Sequence, residues 1–235
     1  SKEDKYTYAM QELSSYLGLK HIKKIEGYDV SHFSGDNAVA SCVVFSRLGS
    51  EKKNYRLFNI PRDLSGNDIG SLEHVMERRI KYYADPELKP DVILIDGGKN
   101  QLNFVKSIIN KSDHHDIKVI SIVKGSKRVR ATETIISEDG IIELDKYSKA
   151  FLILQEIRDE SHRFAIRAQR NKKRKKISQS ELDSIRGIGE ILKKRLLTKF
   201  KSIKNIKSAD FDELMTVKGI NEKIAKQILD KFKND

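Results

Sequence analysis

The chain has 235 residues, 38% of them hydrophobic and 34% charged, which is enough for one or two globular domains and excludes a disordered chain. The longest apolar stretch, residues 38–45, is too short to cross a bilayer, and no leader opens the sequence, so a cytoplasmic location is expected. The single cysteine, Cys42, excludes an internal disulfide and a cysteine-cluster metal site, and its strand-like surroundings suit a buried thiol.

An amphipathic helix is expected over the first twenty residues, with Tyr8, Leu13, Tyr16 and Leu17 on its buried face. Strands follow at 25–31, 38–45 and 54–60, joined by turns at 34–37 and near Leu48-Gly49 as an antiparallel meander. Residues 68–83 have helical spacing, with Asp68 as an N-cap and Leu72, Val75, Met76 and Ile80 as the apolar stripe. The continuous apolar run at 91–95 fits a central strand covered on both faces. A helix beginning at 102, a strand at 117–123, a hairpin over 132–144 and a long helix from about 148 complete the first part. A meander joined to βαβ crossovers gives a mixed sheet flanked by helices, an order that an RNase H-like fold would have.

Charge divides the chain. Residues 1–162 carry 25 basic and 25 acidic side chains, whereas residues 163–235 carry 21 and 9, and 163–176 hold eight basic residues and no acidic one. A neutral body with a basic tail points to a surface that meets a polyanion. The expected boundaries are a domain at 1–171, a basic linker at 172–177 and a small all-α domain at 178–235.

That last domain is an internal duplication. The segment 182–197 is echoed at 214–229, with Gly187 and Gly219 offset by 32 residues and the apolar positions in register. Each copy fits helix, tight hairpin, helix. Gly187 and Gly189 would turn with positive φ and let the backbone approach a phosphate, and the following helix N-terminus would face the anion. Asn221 stands where the first copy has Gly189, and asparagine tolerates the left-handed conformation best after glycine. Arg186, Lys193, Lys218 and Lys223 would supply charge. The pattern resembles the tandem helix-hairpin-helix domain, which binds the DNA backbone without reading sequence.

The first part offers Asp29, inside the first strand, and Asp96, at the end of the apolar strand. Were those strands neighbours, the carboxylates would converge and repel unless a divalent cation lay between them. His162 lies on the long helix; a lone helical histidine is usually structural or exposed, and the polar string around it is what points to a functional face.

The run Asp29-Val-Ser-His32 followed by 38–45, the run Asp91-Val-Ile-Leu-Ile-Asp-Gly-Gly-Lys-Asn-Gln-Leu102, and Ile157-Arg-Asp-Glu-Ser-His-Arg-Phe-Ala-Ile166 resemble the C-terminal half of the UvrC family of excision-repair nucleases. The basic run at 172–175 and the tandem hairpins stand in that family's order. The resemblance implies an RNase H-like nuclease with Asp29, Asp96 and His162 as its catalytic and metal-binding triad around Mn²⁺ or Mg²⁺. It implies that Asp68 is a further acidic position linked to incision, an assignment that stays open beside the helix cap, and that Lys99 contacts phosphate. The implied reaction is cutting of one DNA strand on the 5′ side of a lesion or bubble, in bacterial nucleotide excision repair, with UvrA and UvrB as partners. The family's 3′-cutting GIY-YIG nuclease, cysteine-rich segment and UvrB-binding region are not among these residues, so a fragment is expected. The other reading is a non-catalytic DNA-binding scaffold, against which the intact Asp29, Asp96 and His162 weigh.

Overall fold

The computed structural model describes residues 2–31, 38–124 and 133–233, which form two compact units, 1–169 and 170–235. The turn expected at 34–37 lies outside the described residues.

The first unit opens with α1 (Lys2–Leu17). Its buried stripe is Tyr6, Ala9, Met10, Leu13 and Leu17, whereas Tyr8 and Tyr16 are exposed, which corrects the expected face. Positions 6, 10, 13 and 17 fall on one side at 3.6 residues per turn, and position 8 falls on the opposite one. The meander follows as β1 (Lys24–Ser31), β2 (Val39–Ser46), the two-residue β3 (Gly49–Ser50) and β4 (Arg56–Asn59). Next come α2 (Asp68–Ile80), β5 (Val92–Asp96), α3 (Lys99–Lys111), β6 (Lys118–Lys124), β7 (Glu133–Ser137), β8 (Gly140–Ile142) and α4 (Lys149–Asp183).

The strands form one mixed sheet in the order β3-β2-β1-β5-β6-β7-β8, with β4 also paired to β2. β1 and β5 run parallel, as do β5 and β6, and the outer pairs are antiparallel. β2 and the first four residues of β5 are buried throughout, as strands covered on both faces must be. Neighbouring residues of β1 point to opposite faces: Gly27 meets Ile157 of α4, and Tyr28 meets Tyr83 just after α2.

Two helix starts differ from expectation. Asn67, not Asp68, caps α2, its side chain accepting from the Gly70 N–H, because Asp68 already has helical backbone. α3 begins at Lys99, three residues early, because the Gln101 side chain turns back to accept the Gly98 N–H at 2.9 Å. The basic stretch 172–177 is helical and belongs to α4. It contains neither glycine nor proline, and lysine and arginine are good helix formers.

The second unit contains the tail of α4, then α5 (Glu190–Phe200), α6 (Ile203–Ser208), α7 (Phe211–Met215) and α8 (Glu222–Lys233). Its core keeps the 32-residue offset: Leu182 with Leu214, Ile185 with Val217, Ile188 with Ile220, and Leu196 with Ile228 are all buried. Among the described residues no helix is long and apolar enough to cross a membrane.

Beneath the sheet lies a buried ion pair. Glu26 and Arg79 are 0% and 2% exposed. One Glu26 oxygen accepts from Arg79 Nε at 2.9 Å and from Nη2, and the other accepts from the hydroxyls of Tyr28 at 2.5 Å and Tyr83 at 2.6 Å. Burial, then Cys42 and Glu26, hold the Tyr28 phenol well above its usual range. The carboxylate is therefore fully satisfied, which a buried charge requires. Glu26→Ala should leave Arg79 buried and unpaired, costing about 3–5 kcal/mol, whereas a Glu26→Leu/Arg79→Leu pair should cost much less. Chemical denaturation measures both, and equal losses would show that the charges are not coupled.

Candidate active site

The β1–β5 register pairs Tyr28 with Ile95 in parallel, so Asp29 and Asp96 are the next residues of two adjacent strands and lie on the same side. Asp29 is buried, with its side chain 9% exposed. His162 reaches it from α4, Nδ1 standing 2.9 Å from Asp29 Oδ2. An ionised carboxylate can only accept, so with a neutral imidazole Nδ1 donates and Nε2 is the acceptor nitrogen.

Two contacts set α4 at the distance that this bond needs. A Cβ at Gly27 would overlap Ile157 Cγ2, so only glycine lets the helix lie this close to β1. One turn further on, Ser41 Oγ donates to the Ser161 carbonyl at 2.8 Å, immediately before His162.

Burial and then the charge of Asp29 push the Asp96 carboxyl upward, while Lys124, Arg158 and His162 pull it down. A carboxyl so placed resists ionisation, and a divalent cation would relieve the repulsion. The donors suit a hard cation, and a carboxylate pair leaves its other positions to water and phosphate oxygens. Among the described residues no three His, Cys, Asp or Glu side chains are gathered into a ready metal cage. Asp68 and Asp96 line one small cavity of about 20 Å³ together with Tyr28 and Gln101. Gln101 Nε2 donates to Asp68 Oδ2 at 3.4 Å, so this one side chain serves both the start of α3 and Asp68. Lys99, the exposed first residue of α3, follows three residues after Asp96.

Gln101, Lys124 and Arg158 were not singled out from the sequence. Gln101 occupies the capping position after Gly98, and Arg158 stands one helical turn before His162, so both carried a signal. Lys124 joins the site only through the pairing of β6 with β5.

The two hairpins have the same backbone form, with φ of 95° at Gly187 and 96° at Gly219. Gly189 does not share it: this residue is the extended N-cap of α5. Asn221 is likewise not left-handed, and its Oδ1 accepts the Ile224 N–H at 2.9 Å. Position 189/221 is a cap, which explains why asparagine serves there. Arg186, Lys218 and Lys223 are exposed. Lys193 is 4% exposed, its Nζ held by Asp183 at 2.5 Å and Glu190 at 2.6 Å. It occupies the core position that Ala225 fills in the second copy, so its charge is not presented to a phosphate as the sequence suggested.

Gly27→Ala should destabilise the first unit by about 1–3 kcal/mol through overpacking, and that cost should fall by half or more in an Ile157→Ala background. A double-mutant cycle by denaturation reads this coupling, and purely additive losses would exclude the contact. In the second unit, Gly219→Ala should cost more than Gly187→Ala. Both pay the left-handed strain of about 1–2 kcal/mol, but a Cβ at 219 would also stand 2.9 Å from Leu192 Cδ2, whereas at 187 the nearest atom is 3.5 Å away. Equal thermal melting of the two variants would contradict this order.

Residues 14–166 match the UvrC RNase H endonuclease domain, and residues 180–234 match a SAM-like helix-hairpin-helix tandem. UvrABC system protein C of Legionella pneumophila (strain Paris) is 39% identical over 215 residues, covering 90% of this chain and 35% of that protein. The same-named protein of Saccharophagus degradans is 37% identical over 205 residues, covering 86% and 34%. The chain thus spans about a third of the length of these curated relatives. Among solved structures, endonuclease V from Bacillus subtilis overlaps 55% of this chain and 58% of its own at 20% identity and a TM-score of 0.31. The chain belongs to the UvrC RNase H endonuclease family, with a tandem helix-hairpin-helix unit following the nuclease domain.

Proposed function

We propose that this chain is a metal-dependent endodeoxyribonuclease that makes the 5′ incision of nucleotide excision repair, as part of a longer protein. The observation that supports it is the pairing of Asp29 and Asp96 on adjacent parallel strands, with His162 hydrogen-bonded to the first. Asp29 and Asp96 would hold Mg²⁺ or Mn²⁺, which when bound activates water and offsets charge on the phosphate under attack. Asp29 orients the imidazole through Nδ1, so that Nε2 can accept a proton from the attacking water. The His162 side chain is 55% exposed, which leaves that nitrogen within reach of substrate. Lys124 and Lys99 would meet phosphate oxygens around the cut.

The hairpins at Gly187 and Gly219 would bind the DNA backbone through main-chain N–H groups, with Arg186, Lys218 and Lys223 adding charge. Such contacts set position without reading sequence. The substrate would be duplex DNA with a lesion or bubble, and recognition of damage would come from UvrA and UvrB. The work belongs in the cytoplasm, where the chromosome lies.

The test is nicking of a labelled bubble duplex with Mn²⁺, with Mg²⁺ and with chelator. Wild type should cut only with a divalent cation and on the 5′ side. Asp29→Ala, Asp96→Ala and His162→Ala should each lose about 100-fold or more in rate, while keeping their circular dichroism and DNA affinity. Undiminished cutting in chelator would exclude metal dependence, and near wild-type activity in any variant would remove that residue from the site.

A further inference from the structure

Residues 1–162 balance their charges, yet one groove in the first unit does not. It has a volume of about 340 Å³ and lies between β4 and the C-terminal end of α2. Arg56, Arg78 and Lys81 line it beside Leu57, Phe58 and Tyr82, and no acidic residue does. Arg79 also lines it, but its guanidinium is taken by Glu26. The other three cations form no salt bridge among the described residues.

Two of the three are held in place. Arg56 Nη1 donates to the carbonyls of Lys53 at 2.9 Å and Tyr55 at 2.7 Å, and the Arg78 guanidinium stands 5.8 Å from the centre of the Phe58 ring. A guanidinium fixed in advance loses less freedom when it binds an anion. Tyr82 is 58% exposed and Leu57 is 42% exposed. A solvent-facing tyrosine among cations is the pairing that single-stranded nucleic acid uses, the ring stacking on a base while the cations follow the phosphates.

We propose that this groove binds an unpaired DNA strand, with phosphates on Arg56, Arg78 and Lys81 and a base against Tyr82, as a site separate from the hairpins. The identity of the polyanion rests on the nuclease reading. Arg78 is ten residues along α2 from Asp68, which is about 15 Å at the helical rise. That is at most about four to five nucleotide steps, since an unpaired strand spaces its phosphates farther apart than the duplex rise of about 3.4 Å. A strand leaving the candidate site along α2 would therefore reach the groove within about five nucleotides of the cut. Because only an unpaired strand offers a base face to Tyr82, the groove selects DNA opened around the site. An acidic peptide pairing with the edge strand β4 could use the same cations but would not need the tyrosine ring.

The full chain is tested in chelator, so that binding is measured without cutting. The variants are Arg78→Gln/Lys81→Gln and Tyr82→Ala, each checked by thermal melting, with fluorescent oligodeoxythymidine as the probe over a range of salt. The double variant should flatten the slope of log K against log salt by about 1.4, or about 0.7 for each phosphate that is no longer neutralised. Tyr82→Ala should weaken single-strand binding by about 5-fold or more with an unchanged slope. A strand carrying 5-bromodeoxyuridine should photo-crosslink to Tyr82, and intact duplex affinity should stay within about 2-fold in both variants, since no unpaired base is offered there. Unchanged single-strand affinity and slope in both variants would overturn the proposal, whether or not the chain nicks DNA. So would unchanged DNA binding together with lost binding of a polyglutamate peptide, which would assign the groove to an acidic protein. Should the groove variants behave as expected while the wild type fails to nick, the groove stands and the nuclease reading falls.

Discussion

The buried Glu26–Arg79 pair is the constraint on which the rest of the first unit depends. Taking two charges out of water is unfavourable unless every lone pair and donor finds a partner, and here Tyr28 and Tyr83 complete the set. The pair joins the middle of β1 to the last turn of α2. Each end of α2 is thereby assigned a place: Arg79 under the sheet and Asp68 beside Asp96. An apolar contact could slide by a few tenths of an ångström, but a four-donor carboxylate cannot without losing bonds.

On the opposite face the logic is steric rather than ionic. The missing side chain at Gly27 admits Ile157, and Ser41 fixes the Ser161 carbonyl, so α4 can approach no other way without a clash or a broken bond. Asp29 and His162 meet as a result. The placement of the imidazole thus rests on an absent methyl group and one hydroxyl, neither of which touches it.

Much of this is legible in the sequence, and the omissions have physical causes. The run 91–95 declares a strand buried on both faces, and β5 is one. The 32-residue repeat declares paired cores, and the buried residues do match copy by copy. Asp29, Asp96 and His162 can be named, but their convergence needs the register of β1 against β5 and the closeness of α4, and neither follows from hydrophobic periodicity. Lys193 reads as a phosphate contact only while its charge is weighed without its place in the repeat. Aligned with Ala225, it stands in a small apolar position, and its head group is taken by Asp183 and Glu190. Asn221 misleads for a similar reason, since the cap it provides depends on where α8 begins.

The alternation along β1 limits how this protein can change. Glu26 and Tyr28 anchor the strand on one face, while Gly27 admits α4 and Asp29 meets His162 on the other. A point substitution damages one of these functions and spares its neighbour. Loss or gain of a single residue between Glu26 and Asp29 would turn one half of the strand over against the other, so that the anchor and the carboxylate could no longer both face their partners. The strand therefore tolerates a change of side chain far better than a change of length, which the connections between the elements can absorb.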